Sequence, residues 1–521
     1  MIARGFTSAG HLDLSGFAEV FGRPRTWRVI AQTIGQASAA TVCVGLLGLP
    51  AAHLLYRRRF AGRGALRLLF TVPFVLPAVV VAVAFRSLIG PSGPLGALGI
   101  DRTMTAVVAA LVFFNLGLFI RSVGTVWAGL DPRPAQAART LGASSRRVWW
   151  TVTMPALAPA MAASGSLVFL FSATAFGTVL ILGGARTGTI ETEIWVQTTQ
   201  LLNLRAAAVL SIVQLAVVAG VLIVAARARR RRELSAHLSV QAAPGRLPRL
   251  GRADAGPLVV TGIAALGIAG PLATLIVRSL RTPGGWGLDN YARLAVSGHT
   301  SGLPTSLLDA TWTSVRVAAC ATLIALIIGS LLASALARRP RSATGRRAAN
   351  LLDALAMAPL GVSGVTVGFG FLIALNRPPF DLRGSAVMVP LAQAVVAAPI
   401  VVRALLPVLR GIDPRQREAA AALGAGPARV AATIDLPVAG RALGLAAGLA
   451  FAVAMGEFGA TAFLARPETA TLPVAVFRLL DRPGLDNFGT ALAGCVLLAA
   501  VTAAAVMLAE RSRPPTAGAD L

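Results

Sequence analysis

One acidic residue stands in the middle of an apolar run: Glu457, in AVAMGEFGATAF. Holding a charge at bilayer depth costs free energy, so a carboxylate placed there needs a partner or a task. Two readings are open. Glu457 faces a translocation pathway, where it acts on a cationic solute or pairs with Arg403, or it makes a structural hydrogen bond to a neighbouring helix. Arg121 and Arg403 occupy matching apolar runs 282 residues apart and are expected to snorkel or to brace the pathway wall. Pro73, Pro77 and Pro359 are expected to kink helices lining the same pathway.

Other reactive groups are scarce, and the scarcity excludes several chemistries. The chain has no lysine, which removes a phosphate-loop lysine, a Schiff-base lysine and a Ser-Lys dyad. Cys43, Cys320 and Cys495 lie singly in apolar runs, so neither a disulfide nor a metal cluster is expected. No two of His11, His53, His237 and His299 have ligand spacing, and no metal or cofactor is expected on this chain. Ser363 in GVSG superficially resembles the nucleophile motif of rhomboid intramembrane proteases. That dyad requires a membrane histidine, and only His53 lies near a span; glycine and serine within a span more often mark close helix packing.

The elements that must hold these residues are apolar helices. Hydrophobic residues make up 55% of the 521, and the mean hydropathy is +0.73. Runs of roughly 20 apolar residues read as transmembrane helices, because only a helix satisfies its own backbone in lipid. Spans are expected near residues 29–55, 68–89, 103–128, 159–182 and 204–226, then 257–278, 312–337, 350–375, 386–409, 441–464 and 488–509, about eleven in all. The net charge of +27 comes from arginine clusters between spans rather than from one patch with interleaved aromatics. That is the positive-inside pattern, and nucleic acid is not an expected partner. Residues 227–256 form a basic cytoplasmic linker between a first half, 1–226, and a second half, 257–521. Threading the spans with the arginine loops inside puts the amino terminus outside and the carboxyl terminus in the cytoplasm. The odd span count suggests that the first half lacks a leading helix or that the start lies upstream.

Each half carries one polar island. Residues 131–157 read DPRPAQAARTLGASSRRVWWTVTMPAL and residues 413–439 read DPRQREAAAALGAGPARVAATIDLPVA, at a constant 282-residue offset. The copies share Asp131/Asp413, Ala137/Ala419, Ala138/Ala420, Gly142/Gly424 and Pro155/Pro437, among others. Asp followed by Pro predicts an N-cap with proline at the first helical position. The glycine predicts a left-handed C-terminal cap, and the later proline is expected to stop a second short helix. Each island is thus helix, glycine turn, helix at the cytoplasmic face, with small alanines that let a partner surface approach.

The second island, with Glu418-Ala419-Ala420, then Gly424, then Ile434-x-Leu436-Pro437, resembles the EAA loop of bacterial ABC importer permeases. In the first island Gln136 stands where the glutamate would be. The resemblance implies that each island forms a coupling helix docked on a cytosolic ATPase. It extends over most of the chain, through FTVPFVLPAVVVAVAF (70–85), VFFNLGLFIRSV (112–123), FGTVLILGGARTGTIETEIW (176–195) and GEFGATAFLARPETATLPVAVFRLLDRPG (456–484). The whole resembles the fused permeases of the ferric iron and thiamine importers. This implies an all-α polytopic membrane protein with two pseudo-symmetric halves, like a type I ABC importer permease, in the bacterial cytoplasmic membrane. It further implies two copies of an ATPase, which carry the ATP and Mg, and an extracytoplasmic binding protein that delivers the solute near residues 183–203 and 464–487. An ion- or proton-coupled secondary transporter is the alternative, since those also contain internal repeats.

Overall fold

The computed structural model describes residues 7–8, 11–13, 15–184, 186–233, 247–296, 304–338, 342–375, 385–466 and 469–511. The middle of the linker, 234–246, lies outside them, as does the polar segment 297–303.

Apolar helices dominate, for the reason given by their composition. The first half holds α1 (Ser15–Phe21), α2 (Pro24–Arg57), α3 (Arg63–Val75), α4 (Ala78–Ile89), α5 (Met104–Ala128), α6 (Arg133–Thr140) and α7 (Ser145–Ala173). It continues with α8 (Gly177–Leu182), α9 (Ile190–Thr199) and α10 (Leu204–Glu233). The second half opens with α11 (Ala255–Ser279) and repeats the pattern. Its helices are α12 (Asp289–Ala292), α13 (Leu307–Ala337), α14 (Ala343–Gly361), α15 (Gly364–Ala374), α16 (Met388–Gly411), α17 (Pro414–Ala422) and α18 (Pro427–Gly456), then α19 (Gly459–Leu464), α20 (Leu472–Leu480) and α21 (Leu485–Arg511). Among the described residues, 9 helices are long and apolar enough to cross a membrane, or 11 if each of two bent pairs is one span.

The bent pairs are α3–α4, turned by 111°, and α14–α15, turned by 101°. Pro73 and Pro359 sit in the last turn before each bend, where the carbonyls of both accept from Leu76 and Val362. Each proline removes one i→i−4 bond from the turn that leads into the bend. Pro77 and Ser363 then occupy the matching position at the start of the second arm.

The halves pack alike. α2 lies against α5 and α7, as α13 lies against α16 and α18. Small two-stranded hairpins, Thr7–Ser8 with His11–Leu12 and Arg281–Thr282 with Gly285–Trp286, precede the matching short helices α1 and α12. α11, before the second hairpin, has no counterpart among the described residues of the first half. It packs on α2, α3 and α4 of the first half as well as on α21. The far end of the linker is pinned rather than solvated: Asp254 takes Arg58 through both oxygens at 2.9 and 2.8 Å and His53 at 3.1 Å.

Candidate functional site

The two islands fold alike. Asp131 Oδ1 accepts the Arg133 N–H and Asp413 Oδ1 the Arg415 N–H, each at 2.9 Å, at the starts of α6 and α17. At the other end Gly142 and Gly424 both have φ +82°. The following amides, Ala143 and Ala425, reach back to the Ala138 and Ala420 carbonyls at 3.0 Å. This is the Schellman arrangement, and a residue with a Cβ is strained at its glycine. Gln136, Ala137, Glu418 and Ala419 are exposed, and Ala138 and Ala420 half-buried. Leu141 and Leu423, just before the glycines, are 87% and 89% exposed. Both islands thus present a large exposed apolar side chain at the same position.

Pro155 and Pro437 do not stop a helix. They fall in the first turn after a π-helical stretch, Trp149–Thr153 and Ala431–Asp435, and the spans run on as α7 and α18. In each, the amide before the proline (Met154, Leu436) bonds five residues back, to Trp149 or Ala431. The register has already slipped where the proline lacks its N–H, so the helix survives. The islands differ in one tie. Arg417 Nε donates to Asp435 Oδ1 at 2.7 Å and its Nη2 to the Leu409 carbonyl at 3.0 Å, bracing α17 against the π turn. Ala135 and Thr153 stand at the equivalent positions of the first island.

At the interface of the halves, symmetry-related rings meet. Phe176 stacks on Phe458, with centroids 5.5 Å apart and planes 19° apart. Trp195 packs on Phe176 at 6.5 Å, its counterpart Phe477 on Phe458 at 5.4 Å, and Trp195 meets Phe477 edge-on at 6.4 Å. These four rings mark the pseudo-twofold axis.

Two buried carboxylates flank the α14–α15 break. Glu457 Oε1 accepts from the Ala460 amide at 2.8 Å, while Oε2 accepts from the Thr461 amide at 3.0 Å and its hydroxyl at 2.8 Å. It therefore satisfies the free donors at the start of α19. A Cβ on Gly364 would fall 2.5 Å from Glu457 Oε1, so glycine is what lets the break lie against the carboxylate. Arg403 and Arg121 are exposed, away from this bond set. The second carboxylate is Glu191, fully buried at the start of α9, whose Oε2 accepts the Ser363 hydroxyl of the other half at 2.6 Å. Among the described residues no ion pair reaches either group. Glu191 was hidden in sequence because GTIETEIW reads as an outer loop; α9 and α20 are instead largely buried. Exposed residues in these segments are Arg186, 199–202, Arg466, Thr469 and 481–486, with Leu201, Leu202 and Leu485 the large apolar ones. Beside residues 481–486 lies a cavity of about 340 Å³ lined by Arg86, Arg102, Asp481, Arg482 and Phe488. Burial raises the Asp481 carboxyl pKa there, against the pull of Arg86 and Arg102.

Residues 45–232 match the family model described as binding-protein-dependent transport system inner membrane component. The thiamine transport system permease protein ThiP of Brucella abortus (strain 2308) is 26% identical over 93% of this chain and 88% of that protein. ThiP of Escherichia coli (strain K12) is 26% identical over 87% of this chain and 83% of its own length. The sulfate transport system permease protein CysT of the same strain is 31% identical over 32% of this chain and 62% of that protein.

The chain is a fused permease of the binding-protein-dependent ABC importers.

As an importer permease it is a transport subunit in the membrane, not an enzyme. The family model covers the first half, and the full-length relatives together with the duplicated islands carry the assignment through the second. The fused permease accounts for the paired islands, the paired breaks and the ring stack in one stroke.

Proposed function

We propose that this permease forms the membrane pathway of an ATP-driven importer for thiamine, delivered by an extracytoplasmic binding protein. What supports it most is the pair of islands with the same cap, the same left-handed glycine and the same exposed leucine. Each island is read as the docking helix for one copy of a cytosolic ATPase, a separate chain that holds the ATP and Mg. Closing the two ATPases pushes α6 and α17, and the π turns pass that push into α7 and α18. Both islands lie in the cytoplasm, the carboxyl terminus inside and the amino terminus outside. The near-full-length likeness to thiamine permeases favours thiamine over ferric iron as the first solute to test. The exposed tips near Leu202 and Leu485 are read as part of the binding-protein surface. Glu457 is read as a brace for α19, and Pro73 and Pro359 as the positions that bend the pathway helices. Arg121 and Arg403 are read as outward, lipid-side residues.

The test is ATPase activity in proteoliposomes with the ATPase and binding protein from the same operon, with thiamine and ferric iron compared. Stimulation by thiamine is expected. Gly424→Val, which forces a β-branched residue into left-handed backbone at a cost of about 1–2 kcal/mol, should abolish most of it. Uptake that persists without any ATPase would overturn the importer mechanism in favour of secondary transport.

A further inference from the structure

Glu191 differs from Glu457 in what its oxygens find. Glu457 is saturated by the start of α19. Glu191 is 0% exposed, and while its Oε2 holds Ser363, its Oε1 has no hydrogen-bond partner. Unpartnered side-chain oxygens also gather at the end of α7. Gln36, Asn115 and Gln214 donate their amide N–H groups to Ser172 and Ala173 at the end of α7, and the carbonyl oxygen of each is left bare. The Gln214 amide also faces the Glu191 carboxyl, but among the described residues no cationic side chain pairs with it. A buried acceptor set with no positive partner is costly as it stands.

Trp195 lies one helical turn beyond Glu191, at the i,i+4 spacing that puts two side chains on one face. It belongs to the ring cluster on the pseudo-twofold axis, with Phe176, Phe458 and Phe477. A carboxylate beside several aromatic faces suits an organic cation, whose charge the ring quadrupoles attract and whose ring they can stack on. We propose that Glu191, with Trp195 and the Phe176–Phe458 pair, is the station that receives the cationic ring of the solute as the halves part. This rests on the thiamine reading above.

The geometry also supplies a latch. Ser363 caps α15 by accepting the Thr366 amide at 3.1 Å while donating to Glu191 across the halves. Parting the halves must break that bond, which frees the carboxylate for the cation. The equivalent positions across the axis are Pro77 and Pro473, which cannot form it. The permease therefore carries one such station, not two.

The test is uptake of radiolabelled thiamine by proteoliposomes holding the permease, ATPase and binding protein. Wild type is compared with Glu191→Gln, Glu191→Asp and Glu19→Gln, the last a control at an exposed carboxylate on α1. At saturating loaded binding protein, Glu191→Gln is expected to lose roughly tenfold or more in turnover, with its half-saturating concentration unchanged. Glu191→Asp should recover part, and Glu19→Gln should match wild type. A Glu191→Gln permease that turns over like wild type overturns the station and leaves the thiamine reading intact. If Glu191→Gln does not reach the membrane, Trp195→Leu replaces it: loss against retention in Trp195→Phe supports the station, and no loss overturns it. If wild type takes up no thiamine, the reading falls, and the station is judged by thermal shift of the purified permease in tetramethylammonium chloride against sodium chloride. Stabilisation of wild type but not of Glu191→Gln supports it; equal responses overturn it.

Discussion

Glu457 shows why a carboxylate can persist among apolar helices: amide and hydroxyl donors of α19 cover both its oxygens. The contacts are local, to residues three and four further along the chain, and Arg403 is exposed and takes no part in them. The bonding depends on a residue that is easily overlooked, Gly364, whose missing side chain makes room for Oε1. Gly364→Val should push the carboxylate off the start of α19, costing about 1–3 kcal/mol by overpacking. Its melting temperature should fall below that of Gly370→Val, a position in the middle of α15. An equal fall in both would mean that the carboxylate contact is incidental. Glu457 was legible because it interrupts an apolar run. Glu191 was not, because polar neighbours disguised it and its burial depends on Ser363, 172 residues away.

Among the elements, the islands were the most legible, since caps and left-handed glycines are written in adjacent residues. The continuation through Pro155 and Pro437 was not, because a π register is set by the fit of the whole helix and leaves no residue signature. The sharp bends inside two spans were legible from Pro73, Pro77 and Pro359, although hydropathy, which counts apolar residues and ignores direction, gives no sign of them. The tie from Arg417 to Asp435 and Leu409 makes the second island stiffer than the first. Because both side chains of the ion pair are largely shielded, Arg417→Ala should loosen α17 by about 1–2 kcal/mol. Stimulated ATPase activity should then fall severalfold. Asp435→Asn should cost less when Arg417 is already gone, since the two share one interaction. Additive losses in the double variant would show that the residues act separately.

The whole molecule is held as one unit by crossings between its halves. α11 belongs to the second half in sequence but packs on α2, α3 and α4 of the first. Duplication predicted two similar halves, but not which helix lies on which half, because that choice is made by packing between distant residues. Asp254, at the entry to α11, fixes the crossing. Its side chain is 4% exposed and takes Arg58 through both oxygens, with His53 beside it. Removing the carboxylate strands a guanidinium that is 25% exposed, and losing one partner of a shielded pair costs about 3–5 kcal/mol where burial is complete. Partial exposure of Arg58 scales that down, so Asp254→Ala is expected to cost about 2–3 kcal/mol. Asp254→Asn, which keeps an acceptor for one donor, should cost less. Thermal unfolding in detergent reads both. The same variants should also speed proteolysis at the linker, because this pair, with the Arg59 backbone bridge to 248–249, holds residues 248–254 to the α2–α3 loop. Unchanged melting and cleavage in Asp254→Ala would mean that α11 is kept in place by apolar packing alone, with the charged tie incidental to the crossing.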